Sequence, residues 1–252
     1  MARRRRYNRK RRRGSFAFLY KLLAFVLICG AIGLALAMFF RIEDIEISGN
    51  SRYSAEQIAA AAEVSVGDNL FFLNKYDAAA RIRQQLPYVE TVQFRRELPN
   101  RLAIQVTECQ DPVAIKQDGT VYLLCDKGNI VDTVSAAKWS QYIQIEGLTL
   151  LDPQVGGTAR ASATQQEVLE RLLGMLTLLD DKGMLHQVQV IDLSDASRIT
   201  MRYMDRFDVQ FLWDADFDYK LDYLAAVVAK LEDNEKGAID MTQEGKASFI
   251  PD

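Results

Sequence analysis

The sequence predicts one membrane-spanning helix followed by an α+β ectodomain: a β-α-α-β-β unit, then a mixed β-sheet with two packed helices. Three observations carry this expectation. Nineteen consecutive residues, Leu22–Phe40, hold no charge. Between residues 41 and 110, two runs with helical apolar spacing are flanked by runs with strand alternation. After Asp111-Pro112 the pattern becomes β-rich, interrupted by two long amphipathic stretches. The chain of 252 residues then divides into a basic tail (1–15), a span (16–40) and two folded units, 41–110 and 111–252.

The charge is asymmetric. Of the 31 Lys and Arg, nine stand in Met1–Arg13 without an acid: Arg3, Arg4, Arg5, Arg6, Arg9, Lys10, Arg11, Arg12 and Arg13. One more is Lys21, which leaves 21 against 34 Asp and Glu after residue 40, a balance of −13. A basic block reads either as a nucleic-acid contact or as a topology signal. This block abuts the apolar run, so positive-inside orientation is favoured, with contact to anionic membrane lipids and no nucleic-acid partner. The N-terminus is expected in the cytoplasm and the C-terminus outside.

Phe16–Phe40 is 25 residues long. As a helix it spans about 37 Å, against a hydrocarbon core of about 30 Å. Ala35-Leu36-Ala37 resembles a signal-peptide cleavage site, but the run exceeds the usual apolar region of a signal peptide, so a retained anchor is favoured. Lys21 is placed to snorkel to the headgroups.

Arg41–Asn50 alternates as a strand. Ser54-Ala55-Glu56-Gln57 is a capping box that opens a helix through about Val64. Gly67-Asp68-Asn69 breaks it, and Leu70-Phe71-Phe72-Leu73 is expected to plug a small core. A second helix, Lys75–Leu86, places Ala79, Ile82 and Leu86 at helical spacing and stops at Pro87. Val92, Phe94 and Arg96, then Leu102, Ile104 and Val106, alternate as two strands around Glu97-Leu98-Pro99-Asn100.

Beyond Pro112, Gln117-Asp118-Gly119 marks a hairpin between Val113–Lys116 and Val121–Cys125. Ile130-Val131 and Tyr142–Ile145 are short strands, and 156–164 is a loop. Thr164-Gln165-Gln166-Glu167 reads as a second capping box, with a helix to about Asp180. Gln187–Leu193, Arg198–Tyr203 and Phe207–Trp213 read as strands. A helix from about Phe217 to Glu232 follows, then strands at Ala238–Met241 and Lys246–Ile250.

Several segments together carry a family resemblance. They are the SGN after the first strand, VGDNLFFL, LPYVETVQFRRELPNRLAIQV, and DPVAI. The first unit resembles a POTRA domain. With the basic tail, the span and the Ile239-Asp240…Gly245 ending, the chain is similar to the FtsQ/DivIB family of bacterial cell-division proteins. One departure is Glu108-Cys109, where the family usually has an acid followed by a basic residue. The resemblance implies a non-catalytic scaffold at the division septum. Its implied partners are FtsB/DivIC-like and FtsL-like single-span proteins, upstream of septal peptidoglycan synthesis. The alternative is a membrane-anchored extracytoplasmic wall hydrolase or sensor.

No catalytic, cofactor or metal site is expected. The one histidine, His186, opens a strand and reads as a surface residue. Asp214-Ala215-Asp216-Phe217-Asp218 begins like a calcium loop but has Tyr219 and Ala225 where Gly and Glu are needed, so Asp216 is read as a helix cap. Cys109 and Cys125 are read as small buried apolar side chains, with pairing in an oxidising exterior as the alternative. The last strand has no later strand to cover it. Ala247, Ser248, Phe249 and Ile250 are therefore expected to form a sheet edge that takes up a partner strand, as the family resemblance also implies. Phe249 is the candidate anchor, and core packing of its ring is the competing reading.

Overall fold

A computed structural model describes residues 16–252; the basic run Arg3–Arg13 lies outside them. The first element, α1 (Phe16–Phe39), is a helix whose segment Phe18–Leu36 has a mean hydropathy of 2.3 and no burial against the rest of the chain. Its length and composition suit one membrane crossing.

The first folded unit has the expected order: β1 (Asp44–Ser48), α2 (Ala55–Ala62), α3 (Lys75–Gln85), β2 (Val89–Glu97) and β3 (Arg101–Glu108). Its sheet is ordered β1-β3-β2, with β1 parallel to β3 (Ile45 opposite Leu102) and β2 antiparallel to it (Val92 opposite Val106). Alternation along β3 sends Leu102, Ile104 and Val106 against Ile58, Ala62, Ala78 and Ile82 of the two helices. Each of the Val, Leu and Ile side chains contributes roughly 1.5–3 kcal/mol on burial. The Ser54–Gln57 capping box is present in both directions, Gln57 N to Ser54 Oγ at 3.2 Å and Ser54 N to Gln57 Oε1 at 2.9 Å.

The apolar run after Asn69 departs from expectation. Leu70 enters the core, whereas Phe71 and Phe72 stand out of it. The carboxamide oxygen of Asn69 accepts from Phe71 N at 2.9 Å and Phe72 N at 3.3 Å. That side-chain turn rotates the two rings away from the sheet.

The second unit is one nine-stranded mixed sheet. Its strands are β4 (Val113–Gln117), β5 (Thr120–Leu124), β6 (Ile130–Ser135), β7 (Ile143–Glu146), β8 (Val188–Asp192), β9 (Arg198–Tyr203), β10 (Phe207–Leu212), β11 (Gly237–Asp240) and β12 (Ser248–Pro251). The order is β12-β11-β10-β9-β8-β7-β4-β5-β6. Asp118 and Gly119 both take positive φ, 50° and 80°, as a two-residue hairpin of mirror type requires. A short 3-10 helix, Ala136–Gln141, joins β6 to β7.

Two helices, α4 (Gln166–Asp181) and α5 (Phe217–Val228), cover the sheet. They bury Leu169, Leu172, Met175, Leu176 and Leu179 from one, and Phe217, Leu221 and Leu224 from the other. Helix α5 crosses from β10 to β11, which makes that strand pair parallel.

Asp216 caps α5, its carboxylate accepting from Tyr219 N at 3.3 Å. The second expected capping box is absent: α4 starts at Gln166 and no side chain caps it. Thr164 bonds Ser162 instead, and the amides of Gln165 and Gln166 are drawn to Thr149, Gly147 and Ala161.

The cysteines need the larger correction. Cys109, which follows β3, and Cys125, which follows β5, form a disulfide with Cα atoms 6.0 Å apart. They lie buried in a small core shared by the two units, with Tyr88, Ala114, Val121, Leu123 and Val131. Reading them as apolar fillers had the burial right and the bond wrong, because a β4–β5 hairpin folded back on the end of β3 brings them together.

Candidate functional site: the outer edge of the last strand

Strand β12 pairs antiparallel with β11: Gly237 faces Pro251, Ala238 faces Ile250, Ile239 faces Phe249 and Asp240 faces Ser248. Just past this ladder, Asp252 N donates to Lys236 O at 3.1 Å. The alternation of an antiparallel ladder then directs the backbone groups of Ser248 and Ile250 at β11 and those of Phe249 outward. Ala247 shares the outward parity. Pro251 does too, but it has no N–H, so the row of outward donors stops there.

The side chains divide by face. Phe249 turns its ring inward, 6.1 Å from Phe207 at 79°, an edge-to-face contact against the main core. Ala247 is half-buried against the same core, while Ser248 is exposed. Ile250 is 57 % exposed and is the solvent-facing apolar side chain of the strand. The opposite sheet edge, β6, is partly covered: Ile130 N donates to Gly157 O at 2.9 Å and Gly156 N to Ile130 O at 2.8 Å.

Two residues that sequence reasoning passed over hold this edge in place. Lys220 on α5 is buried, and its Nζ donates to Met241 O at 2.7 Å and Gln243 O at 2.6 Å. It pins the turn between β11 and β12 to the helix. The signal was present: Lys220 stands three residues from Phe217 and next to Leu221, on the buried stripe, where a cation must find partners. Gly237 is the other; its φ of 150° and its close approach to Ile250 exclude a side chain.

The carboxylate of Asp240 is held below its ordinary range by Thr242, whose hydroxyl and N–H donate at 2.7 and 2.8 Å. Beside this turn lies a cleft of about 640 Å³, lined among others by Asp214, Asp216, Tyr219, Lys220 and Glu244.

The edge is carried on a fixed junction between the two units. Glu108, at the end of β3, gathers the loop before α2, accepting from Ser51 N (2.8 Å), Ser51 Oγ (2.8 Å), Arg52 N (2.7 Å) and Tyr53 N (3.2 Å). Burial pushes its carboxyl up, and these donors outweigh that and hold it below the usual range. The guanidinium of Arg52 stacks 3.7 Å over the ring of Tyr88. Burial raises the Tyr88 phenol to about 12, and its hydroxyl lies 3.4 Å from Asp132 Oδ2 across the junction.

Glu90 and Asp126 form a carboxyl pair at the same place. Burial and the neighbouring Asp126 push Glu90 up. Burial also acts on Asp126, but Lys127 Nζ at 2.8 Å and a hydrogen bond from Glu90 hold it down. Glu90 also lies by the disulfide, whose bonded sulfurs offer no thiolate to a metal. His186 is exposed, in a short 3-10 turn before β8.

Residues 40–108 match the family model described as POTRA domain, FtsQ-type. Residues 113–242 match that described as Cell division protein FtsQ/DivIB, C-terminal. The chain is 25% identical over 213 residues to the cell division protein DivIB of Clostridium botulinum strain Hall, covering 84% of this chain and 82% of that one. It is 29% identical over 199 residues to the cell division protein FtsQ of Geobacter sp. strain M21, covering 76% and 68%. With DivIB of Clostridium acetobutylicum the identity is 22% over 223 residues, covering 88% of each.

Proposed function

Because this chain belongs to the FtsQ/DivIB family of cell-division proteins, we propose that it is a non-catalytic scaffold of the division machinery. It is anchored by α1 with its N-terminus in the cytoplasm, and it gathers FtsB/DivIC-like and FtsL-like single-span partners at the septum, upstream of peptidoglycan synthesis. The observation that carries this reading is the outer edge of β12: the outward N–H and C=O of Phe249, beside exposed Ile250, at an uncovered end of a nine-stranded sheet. A partner strand pairs there by backbone hydrogen bonds, and Ile250 offers it an apolar contact. The acidic balance of residues 41–252 favours basic flanks on that partner.

Ala247→Pro tests the reading. It removes one outward donor and little apolar area. Full-length protein purified from membranes is expected to lose its single-span partners while its ectodomain melts cooperatively as before. Undiminished recovery of the partners would refute pairing at this edge. Release of fragments from purified peptidoglycan by the intact protein would instead favour a hydrolase.

A further inference from the structure

We propose that the POTRA domain rests on the outer surface of the bilayer that α1 crosses, through apolar side chains at the end of the domain nearest the span. Among the described residues outside α1, half of the large apolar side chains that stand exposed gather at this end: Val66 (66 %), Phe71 (44 %), Phe72 (75 %), Tyr76 (76 %) and Leu98 (60 %). They come from three separate elements, so no single helix stripe or strand face explains the clustering.

The occupant follows from where these elements are tied. The loop carrying Val66, Phe71 and Phe72 is bonded to the last residues of the span and the first after it. Asn69 Nδ2 donates to Leu36 O at 3.0 Å, and Leu70 N donates to Phe40 O at 3.0 Å. Ile42 N donates to Asp68 O and Gly67 N to Ile42 O, both at 2.7 Å. The rings of Phe40 and Phe71 meet edge to face at 4.9 Å. Leu98 is brought to the same end by the parallel register of β1 and β3: Glu43 N donates to Asn100 O at 2.8 Å, three residues past the last residue of the apolar run.

Exposed aromatic rings this close to the end of a span lie at headgroup depth, where an apolar body and a polar rim are both satisfied. Lys75, whose ammonium lies 5.3 Å from the Tyr76 ring, and Arg96, which reaches Leu73 O at 3.1 Å, add cations at that level. The surface is thus continuous with the span, and lipid covers it. The contact limits the tilt of the POTRA domain and thereby sets how far from the bilayer the β12 edge is carried.

The test uses the full chain with Cys29→Ser, one copy per nanodisc, without partners. A bimane label is placed at Phe72→Cys, or at Asn234→Cys on the far unit, in discs where a label at Leu34→Cys is quenched by nitroxide lipid. At residue 72 the label is expected to lose fluorescence to lipid carrying a nitroxide near its headgroup, and to be shielded from aqueous iodide. At residue 234 the opposite is expected. A label at 72 that responds as the one at 234 would overturn the proposal. The exposed pair Val66→Ser with Phe72→Ser should leave ectodomain melting unchanged and let iodide reach a label at Tyr76→Cys. Protection persisting there would equally overturn it.

Discussion

The carbonyl oxygen of Ile250 occupies the space that a side chain on Gly237 would need. The two residues face each other's neighbours across the last ladder, Gly237 opposite Pro251 and Ile250 opposite Ala238. The open edge of the sheet therefore depends on one missing methyl group on the strand beneath it. A Cβ at residue 237 would meet the backbone of β12 at both Ile250 and Pro251, which a rotamer change cannot relieve.

Gly237→Ala is accordingly expected to displace β12 and leave the rest of the sheet standing. The combined clash and unfavourable φ should cost about 1–3 kcal/mol. Amide exchange is the check. The N–H groups of Ala238 and Asp240 should lose protection while those in β9 and β10 keep theirs, and partner capture should fall with them.

Lys220→Met keeps the aliphatic bulk of the side chain and removes both charge-assisted donors to Met241 and Gln243. Each such bond contributes about 1.5–3 kcal/mol, and the carbonyls left behind recover part of that from water. A net loss of about 2 kcal/mol is expected in urea unfolding, with faster exchange confined to residues 241–248.

Glu90→Gln tests the half-buried carboxyl pair. In the folded chain Glu90 is raised to about 8 from an ordinary 4.5. Between those values the folded state holds a proton that the unfolded state has released, so stability falls as pH rises through that window and levels off above it. The amide keeps a donor for Asp126 and does not titrate. The variant should match the parent below the window and exceed it above, by on the order of 1 kcal/mol after allowance for partial exposure. Urea midpoints across the window decide this. A parent curve flat over that range would show that Glu90 is ionised throughout. Asp126, held low, loses its contribution only as pH falls below the usual carboxylate range, so its effect is separable.

The disulfide closes a segment with a sequence separation of 16. Cys109→Ser with Cys125→Ser should cost about 3 kcal/mol by relaxing the unfolded chain. Unfolding of the parent with and without reductant should reproduce the difference, and the variant should be indifferent to reductant. The loss should register at the junction, through the Tyr88 environment, before it registers at β12.

What the amino-acid sequence determined by itself is local or periodic. The apolar span Phe16–Phe40, the alternation of Leu102, Ile104 and Val106, the Ser54 capping box, the Asp118-Gly119 turn and the Asp216 cap each depend on residues within a turn or two of one another. The physics of a helix end or a two-residue turn is complete at that range. Periodicity extended this to the β-α-α-β-β order and the strand-rich second unit, and the family-like segments marked the first of these as resembling a POTRA domain. Only the tertiary structure decided the rest. Thr164 carries the letters of a capping box, yet the following amides found partners at Gly147 and Thr149 after β7 and at Ala161 instead. Phe71 and Phe72 are as apolar as Leu70, yet the Asn69 turn and the nearby span send them outward. Cys109 and Cys125 became a bond only when one hairpin folded back onto another unit. The strand bearing Phe249 became a sheet edge through the order of nine strands, held by Gly237 and by Lys220 from a helix. Those pairings join residues far apart in sequence, and strand order, not composition, sets which of them meet.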